Sequence, residues 1–280
     1  MMWSVLCGLA STVFAAQDGE VELRIVHTND THSCVMPVNP NSSDTALADK
    51  GGFVRRAALV RDLRAEDPDL LLFDSGDFSQ GSAYYNLYKG DVEVKLMNEM
   101  RYDAATIGNH EFDFGLDNMA RIFREATFPI VCANYHFEGT VLEGLVRPYV
   151  ILERKGVKVG VFGLGTQLEG MVASENYKGV TYEDPVTAAN RVADELKNKE
   201  HCDLVVCLSH LGWDIDGLDD TELVSATRHI DIVLGGHSHT YFEHPEVLKN
   251  ADGEDVYCNQ MGKHGRYVGM LLLEMSPTGG

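Results

Sequence analysis

The chain reads as an α/β protein of mixed β-sheets flanked by helices. Three observations lead there. Short apolar runs alternate with helix-like stretches along most of the chain, the order expected of βαβ units. Five of those runs end in Asp, Asn or His, and in α/β sheets functional groups collect beyond the carboxyl ends of the strands. The last part of the chain turns to strand-like segments without intervening helices, which adds antiparallel strands.

In order, the first run, at residues 24–28, ends in Asn29-Asp30-Thr31-His32. A loop rich in Pro, Asn, Ser and Asp follows, and Gly51-Gly52 closes it. Residues 53–66 read as a helix with Val54, Ala57, Ala58 and Leu63 on its apolar side. Arg55 and Arg56 on that helix either face the site or are solvated, and solvation is the ordinary state of a helix arginine. The second run ends in Asp74-Ser75-Gly76-Asp77. Residues 91–99 read as a helix that packs through Val92, Val94, Leu96 and Met97. The third run enters Gly108-Asn109-His110-Glu111-Phe112-Asp113, a helix covers 116–125, and 129–133 is a strand.

Residues 149–153 and 157–164 form a predicted hairpin turning at Arg154-Lys155-Gly156. A looser, Gly-containing region covers 166–181. Asp184 and Pro185 supply an N-cap and a first-turn proline. The helix they open runs through 199 and buries Val186, Ala189, Val192, Ala193 and Leu196. The fourth run ends in Ser209-His210, a short acidic helix covers 219–227, and the fifth run, Ile232 to Leu234, enters Gly235-Gly236-His237-Ser238-His239. Segments 246–248, 256–260 and 267–274 are strand-like.

Composition narrows the function. Apolar residues make up 44% and charged residues 24% of 280 residues, ordinary for a globular protein. A net charge of −20 argues against binding nucleic acid through its phosphates. An anionic substrate then needs a local positive centre such as bound metal. No apolar run after the first 20 residues is long enough to span a membrane. Residues 3–16 are apolar or small without a charge. We read 1–20 as a signal peptide, with Val13-Phe14-Ala15 as the cleavage site and a secreted or periplasmic location. Five cysteines then remain, an odd number without a CxxC pair, which argues against a disulfide scaffold and a cysteine zinc site. In the segment after Leu234, His237 and His239 fall on the same side of an extended chain and can aim at one point; imidazole is a common ligand for zinc and related metals.

The ordered set Asp30-x-His32, Gly76-Asp77, Gly108-Asn109-His110-Glu111, His210 and Gly236-His237-x-His239 resembles the signature of the metallophosphoesterase, or calcineurin-like phosphatase, superfamily. His27-Thr28-Asn29-Asp30, Glu111-Phe112-Asp113 and Asn259-Gln260-x-Gly262-x-x-Gly265-Arg266-Tyr267-Val268-Gly269 look like its 5′-nucleotidase branch. The resemblance implies a four-layer αββα sandwich over 21–280, a metallophosphatase catalytic domain with two mixed sheets. It implies two divalent metal ions. Zinc, manganese or iron suit the ligands, with magnesium or calcium competent in vitro. Asp30, His32 and His239 would hold one metal, Asn109, His210 and His237 the other, and Asp77 both. His110 would be the catalytic histidine, oriented by Asp113. The reaction implied is hydrolysis of phosphate monoesters, nucleoside 5′-monophosphates foremost, by metal-activated water; the alternative is a phosphodiesterase on cyclic or diester nucleotides. The branch pairs this domain with a second, nucleoside-binding one, so either a separate chain supplies it or the substrates are smaller or more varied esters. His136, His201, His229, His244 and His264 carry no motif and read as exposed or packed.

Overall fold

The computed structural model describes residues 21–43, 45 and 48–275; the expected signal peptide lies outside them. The chain forms β1 (Val21–Thr28), α1 (Phe53–Glu66), β2 (Leu71–Asp74), α2 (Ala83–Tyr88), α3 (Asp91–Met100), β3 (Ala104–Ala105), α4 (Gly115–Glu125), β4 (Ile130–Val131), β5 (Tyr135–His136) and β6 (Val146–Arg147). It continues through β7 (Tyr149–Arg154), β8 (Val157–Gly165), β9 (Thr181–Tyr182), α5 (Pro185–Asp194), β10 (Leu204–His210), α6 (Asp220–Ala226), β11 (Ile232–Leu234), β12 (Glu246–Lys249), β13 (Asp255–Asn259) and β14 (Gly269–Met275).

Two six-stranded mixed sheets result. The first has the order β14-β1-β2-β3-β4-β6, the second β12-β13-β11-β10-β8-β7. The last strand, β14, returns to the first sheet and pairs antiparallel with β1, Val21 opposite Met275 and His27 opposite Gly269. The predicted hairpin is present as β7 and β8, paired from Tyr149–Phe162 to Arg154–Val157.

Side-chain alternation then builds the four layers. On β10, Leu204, Val206 and Leu208 face the first sheet, where they meet Leu23, Ile25, Leu71 and Phe73. Val205 and Cys207 face the other way and pack under α5 and α6 with Ala189, Val192, Leu223 and Val224. The outer face of the first sheet, through Val26, Leu72, Ala105 and Ile130, is covered by Val60, Val94, Met97 and Met119 of α1, α3 and α4. Three apolar layers between four layers of elements give the αββα sandwich.

Two helix faces differ from the sequence reading. In α1 the buried residues are Phe53, Arg56 and Val60, while Val54 is 80% exposed. The three- and four-residue spacing of Phe53, Arg56 and Val60 marks the inward line; Ala57 and Leu63 flank it. Arg56 is therefore not a solvated helix residue. Its guanidinium packs 4.0 Å from the Phe53 ring centre and its nitrogens have no hydrogen-bond partner among the described residues. Arg55 is exposed and pairs with Asp49 at 2.9 Å. In α3 the buried line is Glu93, Val94, Met97 and Met100, with Val92 only partly covered. Helix α2 was not anticipated, being too short to show a period; Ser82 caps it by accepting from the Tyr84 N–H. No helix among the described residues is long and apolar enough to cross a membrane.

The two sheets touch through backbone as well as side chains. The Ala133 N–H donates to the Gly163 carbonyl at 2.8 Å. Asn134 donates to the Gly165 carbonyl at 2.7 Å and accepts from its N–H at 2.8 Å. At Gly163 a Cβ would stand 2.1 Å from the Val131 carbonyl oxygen and 2.2 Å from Thr106 Oγ1. Gly163→Ala is therefore expected to lower stability by about 1–3 kcal/mol through overpacking. A urea titration reads this directly, and an unshifted midpoint would contradict so close an approach of the sheets.

Candidate metal centre

The predicted site residues come from loops that leave the strand ends of both sheets. The loops after β1 and β2 lie side by side: the Asp30 N–H donates to Gly76 at 2.9 Å and the His32 N–H to Asp77 at 3.0 Å. Ser75 Oγ reaches across to the Leu234 carbonyl at 2.7 Å, tying the β2 loop to β11. Asp30, His32, Asp77, His237 and His239 all have left-handed backbones, with φ between 43° and 72°. Non-glycine residues adopt this conformation rarely and cluster in it at functional sites.

Two groups of side chains converge. Asp30, His32 and His239 form the first, and Asp77, His210 and His237 the second; within each, one ligand atom per residue lies within 4.8 Å of the others. Each group draws on both sheets. In the first, the Nε2 atoms of His32 and His239 are 3.0 Å apart and Asp30 Oδ1 lies 3.4 Å from His239 Nε2. In the second, His210 Nε2 is 3.2 Å from Asp77 Oδ2. Asn109 joins this group, its Oδ1 3.0 Å from His237 Nδ1. The structure thus brings all seven predicted ligands together.

The chemistry of the donor set fits a cation. His210 Nδ1 donates to the Ser75 carbonyl at 2.7 Å, and His32 Nδ1 lies 3.2 Å from the Ser79 carbonyl. Those bonds place the ring hydrogen on Nδ1 and turn the Nε2 lone pairs inward, as second-sphere carbonyls do for metal-bound histidines. His210 Nε2 is buried without a hydrogen-bond partner. Burial pulls His210 down, but the Asp77 carboxylate outweighs it and raises it above the usual histidine value. Asp77 is opposed by burial, yet His210, then His32 and His110, hold its carboxyl well below the ordinary range. Burial lowers His32, and burial followed by the His210 charge lowers His237 to about 4. Buried carboxylates facing imidazole lone pairs call for positive charge between them.

His110 opens a short 3-10 turn, His110–Phe112, directly after Asn109. Its Nδ1 is 3.1 Å from Asp113 Oδ2, and that hydrogen bond is the largest cause raising His110 above its ordinary value. The ring centre stands 5.5 Å from that of His32, so the predicted pair is formed at the edge of the first group.

Several residues not singled out from the sequence position these ligands. Buried Glu111 accepts from the N–H groups of Asp77 at 3.0 Å, Ser79 at 3.0 Å and Gly108 at 2.7 Å. Burial, then the Asp77 charge, raises its carboxyl. Gly108 leaves room for Asp77, since a Cβ there would sit 2.1 Å from Asp77 Oδ1. Asn29 donates to Asp30 Oδ2 at 2.6 Å and Gln260 donates to the Gly236 carbonyl at 2.9 Å. Both stand in the quoted motifs, which was the available signal. His264 had no signal; its ring lies 5.9 Å from that of His32, and its N–H donates to the Asp30 carbonyl at 2.7 Å.

Comparison with known proteins agrees with this geometry. The family model described as calcineurin-like phosphoesterase matches residues 23–241. A human 5′-nucleotidase is 32% identical over 295 aligned positions, covering 99% of this chain and 50% of its own length. A solved 5′-nucleotidase precursor from Thermus thermophilus superposes with a TM-score of 0.80 at 34% identity, covering 90% of this chain and 51% of that one. The Haemophilus influenzae NAD nucleotidase gives 0.80 at 27% identity over 93% of this chain and 54% of that one. The chain spans about half the length of the curated relatives it matches.

The Glu111 contacts generate an expectation. Glu111→Gln keeps the shape but replaces one of the two accepting oxygens with an NH2 donor, so the three N–H bonds cannot all be kept and the loops bearing Asp77 and Asn109 should loosen. Metal affinity should fall by about 10–100-fold, the usual scale for outer-shell partners. Chelator competition on the folded variant measures it, and an affinity equal to that of the parent would remove Glu111 from this role.

Proposed function

The chain belongs to the calcineurin-like phosphoesterase family, and on that premise we propose that it hydrolyses phosphate monoesters, nucleoside 5′-monophosphates foremost, at a two-metal centre. The observation that carries this reading is the convergence of two ligand groups, each drawn from both sheets across their join, with the His110 ring beside them. When bound, two divalent cations supply Lewis-acid charge for the phosphate and bring the pKa of a coordinated water towards neutrality.

The chain's own residues would then act as follows. Asp30, His32 and His239 hold one cation, Asn109, His210 and His237 the other. Asp77 is the shared ligand, a role supported by its electrostatic coupling to histidines of both groups. With two divalent cations against two carboxylates, the centre is locally positive within an acidic chain, which suits a phosphate dianion. His110 keeps its Nδ1 hydrogen on Asp113, so Nε2 is the atom that gives a proton to the leaving alkoxide or hydrogen-bonds a phosphoryl oxygen. Imidazole and carboxylate ligands suit zinc, manganese or iron. We place the enzyme outside the cytoplasm, in keeping with the signal-like residues 1–20.

A substrate panel with added metal tests the reaction class. Phosphate release from AMP and UMP, with a cyclic nucleotide left intact, supports the monoesterase reading. Cleavage of the cyclic nucleotide alone would replace it with a phosphodiesterase.

Two substitutions test the roles. In His110→Ala both metals should remain while kcat drops by about 10²–10⁴-fold, and Asp113→Asn should show a smaller loss of the same kind. Asp77→Asn should instead lose metal from both groups, read by elemental analysis of the same preparation that is assayed. Full turnover in His110→Ala at full occupancy, or full activity of the parent with one metal per chain, would each overturn its part of the assignment.

A further inference from the structure

A buried cation stands behind the first ligand group. Arg56 is 3% exposed, and none of its guanidinium nitrogens has a hydrogen-bond partner among the described residues. A guanidinium is always charged and carries five donors. One that is buried and unpaired calls for an explanation, and its packing supplies one. Its Cζ lies 4.0 Å from the centre of the Phe53 ring. A Cβ on Gly265 would stand 2.6 Å from Arg56 Nη1, 2.7 Å from Cζ and 2.8 Å from Nε. Three nearly equal approaches mean that the guanidinium meets the glycine with its flat face and not its edge. The N–H groups lie in the plane, so that face offers none of them. Gly265 has a φ of 56° and His264 one of 63°. A tight left-handed turn thus rests on the guanidinium, and a side chain at residue 265 would collide with it.

From this turn the contact passes to the ligands. The His264 N–H donates to the Asp30 carbonyl at 2.7 Å, and the His264 ring meets the His32 ring at 5.9 Å and 71°. The start of the same loop is pinned by Asn29, which donates to the Gly262 carbonyl at 2.8 Å and accepts from the Met261 N–H at 2.8 Å. One residue past Arg56's contact, then, the chain touches two of the three side chains of the first group. The second group is braced elsewhere, through Glu111 behind Asp77 and the Ser75 carbonyl behind His210.

We propose that Arg56 is a positioning residue for the first ligand group: its guanidinium, packed on Phe53, props the turn at Gly265 and so fixes His264 against His32 and Asp30. A guanidinium suits this work because it is a rigid plane that packs well on an aromatic ring. A lysine carries the same charge on a flexible stem and offers no plane. The effect is local: it should tune how tightly Asp30, His32 and His239 hold a cation and leave the other group alone. The inference rests on the metal-centre reading above, and the test separates the two.

The experiment reads each group by itself. His237→Ala leaves the first group to bind zinc, and His32→Ala leaves the second; calorimetric titration gives the zinc affinity of each. Adding Arg56→Met to His237→Ala should weaken zinc by about 10–100-fold, the scale of outer-shell partners. Adding it to His32→Ala should change nothing. Arg56→Lys should lose as much as Arg56→Met at the first group. Gly265→Ala, which displaces the guanidinium from the other side, should weaken the same group, and it carries the test if Arg56→Met does not fold. In the metal-free chain with both groups intact, hydrogen exchange at the His264 amide should quicken in the same variants. Equal zinc losses in the two backgrounds would mark general loosening and overturn the proposal. Parental affinity at the first group in Arg56→Lys or Gly265→Ala would overturn it too. If neither background takes up zinc, the metal-centre reading falls, and the exchange of the His264 amide then decides by itself whether Arg56 props the loop.

Discussion

The centre of this molecule is a crowd of like-minded atoms that must be kept from flying apart. Buried carboxylate oxygens and imidazole lone pairs point at one another across the join between two sheets. His32 faces His239 and Asp77 faces His210, and in each case one partner belongs to the first sheet and the other to the second. Much of the surrounding structure follows from holding them there. The strands stop early, β3 after two residues and β11 after three, so that the chain can turn its ligands inward. The backbone accepts left-handed conformations at five ligand positions, strain of a kind that persists only where neighbours over-determine it. Glu111 and the Ser75 carbonyl are such neighbours.

Beneath this layer lies another polar one, on the α1 side of the first sheet. Thr28 donates to Asp74 at 2.6 Å and meets the Tyr102 hydroxyl at 2.7 Å. Asp74 also accepts the Gly76 N–H at 3.0 Å, and burial pushes its carboxyl up to about 7. The layer braces the turn from which Asp77 emerges. Ser33 is held in a similar way from outside by Glu93 of α3. The ligands are thus positioned on strand ends whose supports are themselves buried and hydrogen-bonded, the condition under which a site keeps its geometry.

The residues that converge were legible in the sequence because they stand where five apolar runs end in Asp, Asn or His, while their grouping came through the family resemblance. Mixed sheets flanked by helices were legible from the order of those runs, the four-layer sandwich only through the family resemblance, and the hairpin β7–β8 from its turn. The inner face of α1 was not, because Val54 and Arg56 trade the places their polarity suggests; the arginine stem and ring contact with Phe53 replace ordinary apolar packing. Helper residues were hidden for another reason. Asn29, Glu111 and Gln260 work by bonding backbone atoms of residues that only folding brings near. The nucleotidase-like motifs do have a physical sense in the structure. His27 and Gly269, at opposite ends of the chain, are ladder partners, and a Cβ at Gly269 would lie 2.0 Å from the His27 ring, so the glycine makes the room that the buried imidazole fills.

The return of β14 to lie beside β1 has a mechanical side. Val21 and Met275 are direct neighbours at the end of the first sheet away from the ligands. Force applied between those two residues would pull the pair of strands open like a zipper, one rung at a time, and not load all the rungs together. The opening would travel towards His27 and Gly269 and arrive at the loop that carries His264 against His32. Unzipping from that end therefore leads straight to the wall of the candidate metal site.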